Sequence, residues 1–313
     1  MKKALLVGIN RYPDPANELK GCANDVHQMA ETLKNRCGFP GGGNMRILTD
    51  ARATTKAILD GLAWLTAGAS PGDSLVFHYS GHGSQVPDRN GDETTDRLGE
   101  ILCPYDLDWE HPLTDDDLDA ACVNVPQGAL LTVILDCCHS GTGLRDFALA
   151  GNSHSMAGLT RPANPALYGC TLPRGNFARP RSIPPSDAPD RCRFLPHPEM
   201  PSPAPQRPRH SARRFGVSVT RTNAVLIAAC RDDQTSADAW INGGYHGAHT
   251  YHLCRTLATG TRDLTYRALV SAAGTALSRA GFDQVPQLEG PPRLLADPAF
   301  LPLATAGDER CAV

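Results

Sequence analysis

Four short and almost wholly apolar segments constrain the fold of this chain more than any other feature. They are ALLVGI at 4–9, SLVFHY at 74–79, LLTVIL at 130–135 and AVLIAAC at 224–230. Runs of this length that are apolar on both faces are typical of parallel strands covered by helices on each side. Segments with helical periodicity lie between them, so the pattern predicts alternating β and α units.

The remaining predicted elements fit the same plan. Apolar residues at helical spacing predict helices over 22–37, 54–67, 115–122, 251–259 and 264–280. Shorter strands are predicted over 45–49 and 100–105. These strands are too few for a barrel with right-handed crossovers. We therefore expect an α/β fold with a mostly parallel, twisted sheet and helices on both faces.

The overall composition is that of an ordinary folded protein. The 313 residues are 41% hydrophobic and 20% charged, and the net charge is −3. These values exclude a chain that is disordered throughout, and they give no reason to expect binding to nucleic acid or to a membrane surface. The opening MKKALLVGIN is shorter than a signal-peptide core. We expect a cytoplasmic monomer with no membrane or nucleic-acid partner.

The 11 cysteines are odd in number and include no C-x-x-C pair. Many of them lie within apolar segments, as Cys230 and Cys254 do. This pattern favours reduced thiols over a disulfide framework or a structural zinc site.

The segment 151–215 differs from the rest of the chain. It contains 13 of the 26 prolines and ten arginines, against three acidic residues and no lysine. No helical or strand period is present, so this segment is predicted to be a mobile insertion. A passive linker and a protease-accessible basic loop remain equally open as explanations at this point.

Two motifs follow the second and third of these apolar strands in a way that favours thiol chemistry. His82 lies between two glycines after the strand at 74–79, and Cys137 and Cys138 follow the strand at 130–135. Because ligands bind at the carboxyl ends of parallel strands, an imidazole and a thiol are expected to meet there. The imidazole would act as base for the thiol, whose thiolate is the nucleophile.

Several motifs together resemble a known family. YSGHG at 79–83 and DCCHSG at 136–141 resemble the two catalytic motifs of the type I metacaspases, which are caspase-like cysteine peptidases. GCANDV at 21–26, AACRDDQTSAD at 228–238 and QVPQLEG at 284–290 resemble further blocks of that family in the same order. The resemblance is to bacterial-type members without an N-terminal prodomain.

The resemblance implies a caspase-like α/β/α sandwich. Residues 1–150 would form the catalytic half, 151–215 the insertion, and 216–313 a smaller half that completes the same sheet and pocket. It also implies that Cys138 is the nucleophile and His82 the general base. The backbone N–H groups of Gly83 and Cys138 would bind the developing oxyanion.

The resemblance also implies an acidic pocket for the residue before the cut. Asp25, Ser80 and Asp136 match the positions that line this pocket in similar metacaspases. Asp232 and Gln234 are expected to close the same pocket. Carboxylates in one pocket select a cation, so cleavage after Arg or Lys is expected, with basic proteins or peptides as substrates.

Calcium is the cofactor that the resemblance implies. The expected ligands are Asp96, Asp115, Asp116 and Asp146, and hard carboxylate oxygens of this kind suit Ca²⁺. The chain departs from the family pattern at two positions, where Gly99 and Arg145 replace aspartates. The alternative is that these acids form a solvated loop and a helix N-terminus.

An arginine-specific protease tethered to an arginine-rich loop is expected to cut itself within 151–215, as a zymogen does. Proline should protect the bonds after Arg161, Arg179 and Arg207. The other arginines remain open: Arg174, Arg181, Arg191, Arg193, Arg209, Arg213 and Arg214. Two other functions stay open: a catalytically silent caspase-like scaffold that binds basic peptides, and ester or thioester hydrolysis by the same pair.

Overall fold

The computed structural model describes residues 1–87, 98–123, 125–138, 190–200, 223–231 and 234–301. Within these residues the helices are Cys22–Cys37 (α1), Thr55–Thr66 (α2), Asp115–Val123 (α3), Ala248–Thr259 (α4), Tyr266–Arg279 (α5) and Pro292–Leu295 (α6). The strands are Lys2–Gly8 (β1), Met45–Thr49 (β2), Ser74–Ser80 (β3), Gly83–Pro87 (β4), Leu98–Leu102 (β5), Leu113–Thr114 (β6), Leu130–Asp136 (β7), Arg191–Cys192 (β8), Ala224–Ala228 (β9), Ala237–Ile241 (β10), Gly244–Gly247 (β11) and Gln287–Glu289 (β12).

A central sheet carries the fold. In the described part of the chain its six strands lie in the order β12-β9-β7-β3-β1-β2. All neighbouring strands are parallel except β12, which runs antiparallel to β9. The apolar segments at 4–9, 74–79, 130–135 and 224–230 form β1, β3, β7 and β9, the four central strands. The predicted mostly parallel α/β sheet is therefore confirmed.

Helices cover both faces of this sheet, which explains why its central strands are apolar throughout. On one face, residues of α2 and α3 pack with alternate strand residues such as Leu5, Phe77 and Val133. On the other face, residues of α1, α4 and α5 pack with Leu6 and Ile134. Because successive strand residues point to opposite faces, every position of β3 and β7 is buried.

Two small antiparallel sheets lie beside the ends of the central strands. One has the order β4-β5-β6, and the other has the order β11-β10-β8. Strand β8 belongs to the segment 151–215, whose composition gave no sign of a strand. Within that segment only 190–200 are among the described residues, and these residues are held against the rest of the chain.

The predicted helices and strands mostly agree with the observed ones to within a few residues. The predicted strand at 100–105 lies at Leu98–Leu102, and the helix predicted from 251 begins at Ala248. The eight cysteines whose side chains the structure describes are buried thiols that are not joined in disulfides. No helix in the described ranges combines the length and the apolar character that crossing a membrane requires.

Candidate active site

The register of the central sheet brings the two predicted catalytic motifs together. Strands β3 and β7 are parallel neighbours, and Ser80 is paired with Asp136 at their carboxyl ends. His82 and Cys138 each follow two residues beyond that pair. An imidazole and a thiol are thus carried on neighbouring strand ends at this edge of the sheet, as predicted.

The thiol of Cys138 is fully buried. It accepts a hydrogen bond from the N–H of Ser236, with 2.7 Å between nitrogen and Sγ, and its Sγ lies 3.7 Å from the Sγ of Cys192. Burial raises the pKa of the Cys138 thiol well above its usual range. The thiol is therefore protonated in this arrangement, and a base must remove its proton before it can act as a nucleophile.

His82 is held in a defined tautomer by a backbone carbonyl. Its Nε2 lies 2.8 Å from the carbonyl oxygen of Asn17. Since a carbonyl only accepts, Nε2 carries the proton in this hydrogen bond, and the buried Nδ1 keeps its lone pair. Burial lowers the pKa of His82 to about 4, with the Asn17 carbonyl opposing the change. A neutral imidazole with a free Nδ1 lone pair is able to take a proton.

Two backbone N–H groups converge on one carbonyl oxygen. The N–H of Gly83 donates to the oxygen of Arg193 over 3.0 Å, and the N–H of Cys138 donates to the same oxygen over 3.2 Å. These are the two donors that the resemblance implies for an oxyanion site. The carbonyl that they polarise belongs to the chain itself, and it lies beside both Cys138 and His82.

The side chain of Arg193 fills an acidic pocket and is fully buried. Its Nη2 lies 2.8 Å from Asp25 Oδ2 and 3.0 Å from Asp238 Oδ1. Its Nη1 donates to Ser80 Oγ over 2.7 Å and lies 3.3 Å from Asp136 Oδ1. A buried guanidinium requires such pairing, because an isolated buried charge is very costly. Asp25, Ser80 and Asp136 therefore lie together, as the resemblance implies.

The pocket carboxylates are fixed by other hydrogen bonds. The N–H of Gly247 donates to Asp25 over 3.0 Å, and Thr250 donates to Asp136 from its N–H and its hydroxyl over 2.8 and 2.7 Å. Burial alone would raise the pKa of Asp136, but Arg193 and the hydrogen bonds from Ser236 and Thr250 hold it at about 2. A Cβ at Gly247 would overlap both Asp136 and Arg193, so only glycine fits at this position.

The side chain of Gln234, which was expected to close the pocket, is hydrogen-bonded to backbone groups at 283 and 285. Its Nε2 donates to the carbonyl of Asp283 over 2.6 Å, and its Oε1 accepts from the N–H of Val285 over 2.9 Å. The amide is thus satisfied by the backbone before β12. Asp232, Asp96 and Asp146 lie outside the described residues.

Asp115 and Asp116, two of the four expected calcium ligands, lie in the first turn of α3. Among the described residues, no group of three His, Cys, Asp or Glu side chains is arranged to hold a metal ion.

Two functional groups were missed by the sequence reasoning, and a third was predicted only as one of several possible cut sites. Asp238 adds a third carboxylate to the pocket, and it also accepts from the N–H groups of Lys20 and Gly21 over 2.7 and 2.9 Å. The carbonyl of Asn17 orients His82. Arg193, one of seven candidate arginines, occupies the pocket. Only Asp238 had a signal, because it lies in the same AACRDDQTSAD block.

Comparisons with known proteins agree with these motifs. A family model described as the metacaspase, peptidase C14 domain matches residues 2–146. The proteins named Metacaspase-1 from Meyerozyma guilliermondii and Scheffersomyces stipitis are each 34% identical over 92% of this chain, which covers 68% and 70% of their lengths. Metacaspase-1 from Schizosaccharomyces pombe is 32% identical over the same 92%, which covers 66% of its length. The chain thus spans about two thirds of these relatives.

The fold is also found in a solved structure. A crystal structure of a protein from Geobacter sulfurreducens superimposes with a TM-score of 0.61. The two chains are 24% identical, and the match covers 97% of this chain and 99% of the other. At this identity the likeness concerns the fold alone.

Proposed function

The chain belongs to the metacaspase family of caspase-like cysteine peptidases, and we propose that it is an endopeptidase that cuts proteins after Arg or Lys. Membership accounts for a peptidase that uses a cysteine. The basic specificity is supported by one observation above all, the burial of Arg193 against three carboxylates. The Arg193 side chain would thus occupy the position at which a substrate's arginine binds.

The proposed mechanism uses the groups around the Arg193 carbonyl. His82 Nδ1 takes the proton of the Cys138 thiol, and the thiolate attacks the carbonyl carbon of the substrate. The N–H groups of Gly83 and Cys138 stabilise the negative charge that develops on the oxygen. The protonated His82 then gives its proton to the leaving amine. Water hydrolyses the thioester on Cys138 and regenerates the thiol.

The pocket would reject acidic and apolar residues for different reasons. An aspartate before the cut would add a negative charge to three carboxylates, and a leucine would leave those carboxylates buried without a counterion. An arginine can bind two carboxylates with its two terminal nitrogens, as Arg193 does. A lysine supplies the same charge at a single nitrogen.

The first prediction concerns this specificity. On fluorogenic peptides that differ only before the cut, the wild-type enzyme is expected to cleave after Arg or Lys and not after Asp. Asp136→Asn should reduce kcat/KM for the arginine peptide by about 30-fold or more, because one carboxylate partner of a buried cation is lost. Asp25→Asn should have a similar effect.

The matched control for these variants is Asp60→Asn, an exposed aspartate on α2 that pairs with Lys56. Its kcat/KM should equal that of the wild type. Efficient cleavage after Asp, or full activity of Asp136→Asn on arginine peptides, would contradict the proposed pocket.

We also propose that the chain cuts its own Arg193–Phe194 bond. The carbonyl of this bond already accepts from both proposed oxyanion donors, and its arginine already fills the acidic pocket. Phe194 has an N–H and does not restrict Arg193 as a proline would. Of the other candidate arginines in 151–215, Arg191 is the one among the described residues, and it donates to the carbonyl of Glu18 outside the pocket.

Calcium stimulation remains part of the proposal. Asp115 and Asp116 offer carboxylate oxygens at the start of α3, and with Asp96 and Asp146 they would hold Ca²⁺, which favours such ligands. Strand β6 ends directly before α3 and pairs with β5, which in turn pairs with β4 at Gly83. Ordering of this small sheet by a bound cation would therefore affect the position of one oxyanion donor.

The second prediction tests calcium. Peptidase activity in excess chelator should be roughly 5- to 150-fold below that in millimolar calcium, the usual range of coupling between two sites. The double variant Asp115→Ala/Asp116→Ala should lose both this response and the rise in Tm that calcium binding causes in the wild type. The variant Asp60→Ala should keep both. Full activity in chelator, with no change of Tm on adding calcium, would remove calcium from the mechanism.

A further inference from the structure

The chain continues beyond Arg193 along the edge of β4 that carries the Gly83 N–H, and its contacts past Arg193 have no role in the proposed mechanism. The N–H of Leu195 donates to the carbonyl of Gly83 over 2.9 Å, and the N–H of Gly83 donates to the carbonyl of Arg193. This is the pattern of a parallel bridge, in which Gly83 is paired with Phe194. The hydroxyl of Ser84 donates to the carbonyl of Leu195. Phe194 and Leu195 thus lie along β4 in extended form, joined to it by one bridge, while the other edge of β4 pairs with β5.

The side chains of this extended segment point to alternate sides, as residues in extended backbone do. Phe194 packs against Cys138 and Cys192 beside the thiol. Leu195 packs against the apolar cluster that also contains residues of α2 and α3. Two residues later, the ring of His197 meets the ring of Trp109 edge to face, with 4.7 Å between the centroids. Each of these three side chains is half-buried.

We propose that Gly83, Ser84 and Trp109 form a binding site, here called the leaving-side groove, for the substrate residues that follow the scissile bond. The inference rests on the proposed function, because it treats Arg193–Phe194 as the bond to be cut. The site takes an extended peptide. Its second residue after the cut is apolar, and its fourth carries an aromatic or imidazole ring.

The two kinds of contact in the groove have different roles. The hydrogen bonds that the Gly83 main chain and the Ser84 hydroxyl make to the peptide main chain hold any extended peptide, whatever its side chains. The apolar surface under Leu195 and the ring of Trp109 add selectivity at the second and fourth positions. Ser84 is completely buried. Its hydroxyl therefore needs a hydrogen-bond partner in the groove, either a peptide carbonyl or a water molecule, because an unpaired buried hydroxyl is costly.

The groove changes which part of a substrate determines its rate. A short arginine amide with a dye as its leaving group contains nothing that can bind there. A peptide that extends beyond the cut gains these contacts before and during acylation, while its amine is still attached. Selection at these positions should therefore be visible in kcat/KM for extended peptides and absent for the short amide.

The first arm of the test uses the wild-type full chain and internally quenched peptides. The reference peptide has the chain's own sequence 190–197 with alanine in place of Cys192. Replacing its leucine by alanine should lower kcat/KM about tenfold, the value expected for losing the buried part of a half-buried leucine side chain. Aspartate at that position should lower it further, and alanine in place of the histidine should lower it less.

The second arm compares enzyme variants by a ratio. The ratio is kcat/KM for the reference peptide divided by kcat/KM for the short arginine amide. A lower fraction of folded enzyme, or a lower reactivity of Cys138 and His82, affects both values equally and cancels. Ser84→Ala should lower this ratio about two- to tenfold, as loss of one hydrogen bond predicts. Trp109→Ala should lower the ratio measured with the reference peptide, which has histidine at the fourth position after the cut. It should not lower the ratio measured with the peptide that has alanine at that position. Ser70→Ala, at an exposed serine, is the matched control.

The outcomes separate this inference from the proposed function. Cleavage of neither substrate would overturn both. Cleavage of the arginine amide with equal rates for the leucine, alanine and aspartate peptides would overturn the leaving-side groove alone. The leaving-side groove would also be overturned if Ser84→Ala and Trp109→Ala gave the same ratio of kcat/KM values as Ser70→Ala.

Discussion

Replacing Cys138 by alanine is expected to abolish cleavage of arginine peptides and leave the fold intact. The thiol is the proposed nucleophile and His82 Nδ1 its base, so His82→Ala should cost the same. Losses of this kind are about 10⁴-fold or more, and they are not additive, because the two groups act as a unit. The measurement is kcat/KM of both single variants and the double variant, with Tm as the check on folding. The double variant should be no worse than either single one.

The neighbouring cysteine provides the control. Cys137 is buried in the core cluster on the α2 and α3 face of the sheet, since adjacent residues at the end of a strand point to opposite sides. Cys137→Ala should keep peptidase activity. If Cys137→Ala were inactive and Cys138→Ala active, our choice of nucleophile would be wrong.

The same variants separate an enzyme from a scaffold. A catalytically silent scaffold would bind a basic peptide whether or not Cys138 is present, and it would cut nothing. The enzyme that we propose binds in both cases and cuts only with Cys138. Binding of an arginine peptide by wild-type protein without any product would favour the scaffold.

Self-cleavage at Arg193 is the second large effect that we expect. Incubated wild-type protein should give two fragments, 1–193 and 194–313, because the bond is already held in the site and the reaction is intramolecular. Arg193→Ala should remove this cut completely, since the side chain that fills the pocket is lost. Intact-mass measurement of the denatured protein shows both results directly.

Two controls make the assignment of this bond specific. Arg191→Ala removes an arginine two residues away that lies outside the pocket, and it should leave the cut unchanged. Cys138→Ala should remain a single chain throughout. Equal intact masses of wild type and Cys138→Ala would exclude self-cleavage, and fragments that end at another arginine would move it elsewhere.

The parts of the fold that follow from side-chain pattern were predictable. Central strands such as β3 and β7 are apolar because helices cover both faces, and the site residues follow from where these strands end. Strands β10 and β11 were missed, although Asn242 and Gly243 carry a turn signal between them, with φ of 50° and 93°. The alternation of apolar and polar residues within β10 and β11 is too weak to predict strands.

The missed parts of the site have a common physical cause. The carbonyl of Asn17 is a backbone atom, so no side-chain pattern reveals that it orients His82. Arg193 is one of ten arginines in its segment, and its pocket exists only because four distant parts of the chain meet: 25, 80, 136 and 238. Gln234 shows the converse case, since its motif resembles a pocket block while its amide binds the backbone at 283 and 285.

The position of the bond after Arg193 between two neighbouring strands has a consequence for the cut molecule. Strand β7 precedes the bond in the chain and β9 follows it, and the two strands are hydrogen-bonded from Leu131–Ala224 to Leu135–Ala228. A cut would thus leave two polypeptides that share one continuous sheet, and neither could depart without breaking it. Native size and shape would be preserved. Once unfolded, however, such a molecule could refold only by the encounter of two separate chains, so its recovery would depend on concentration.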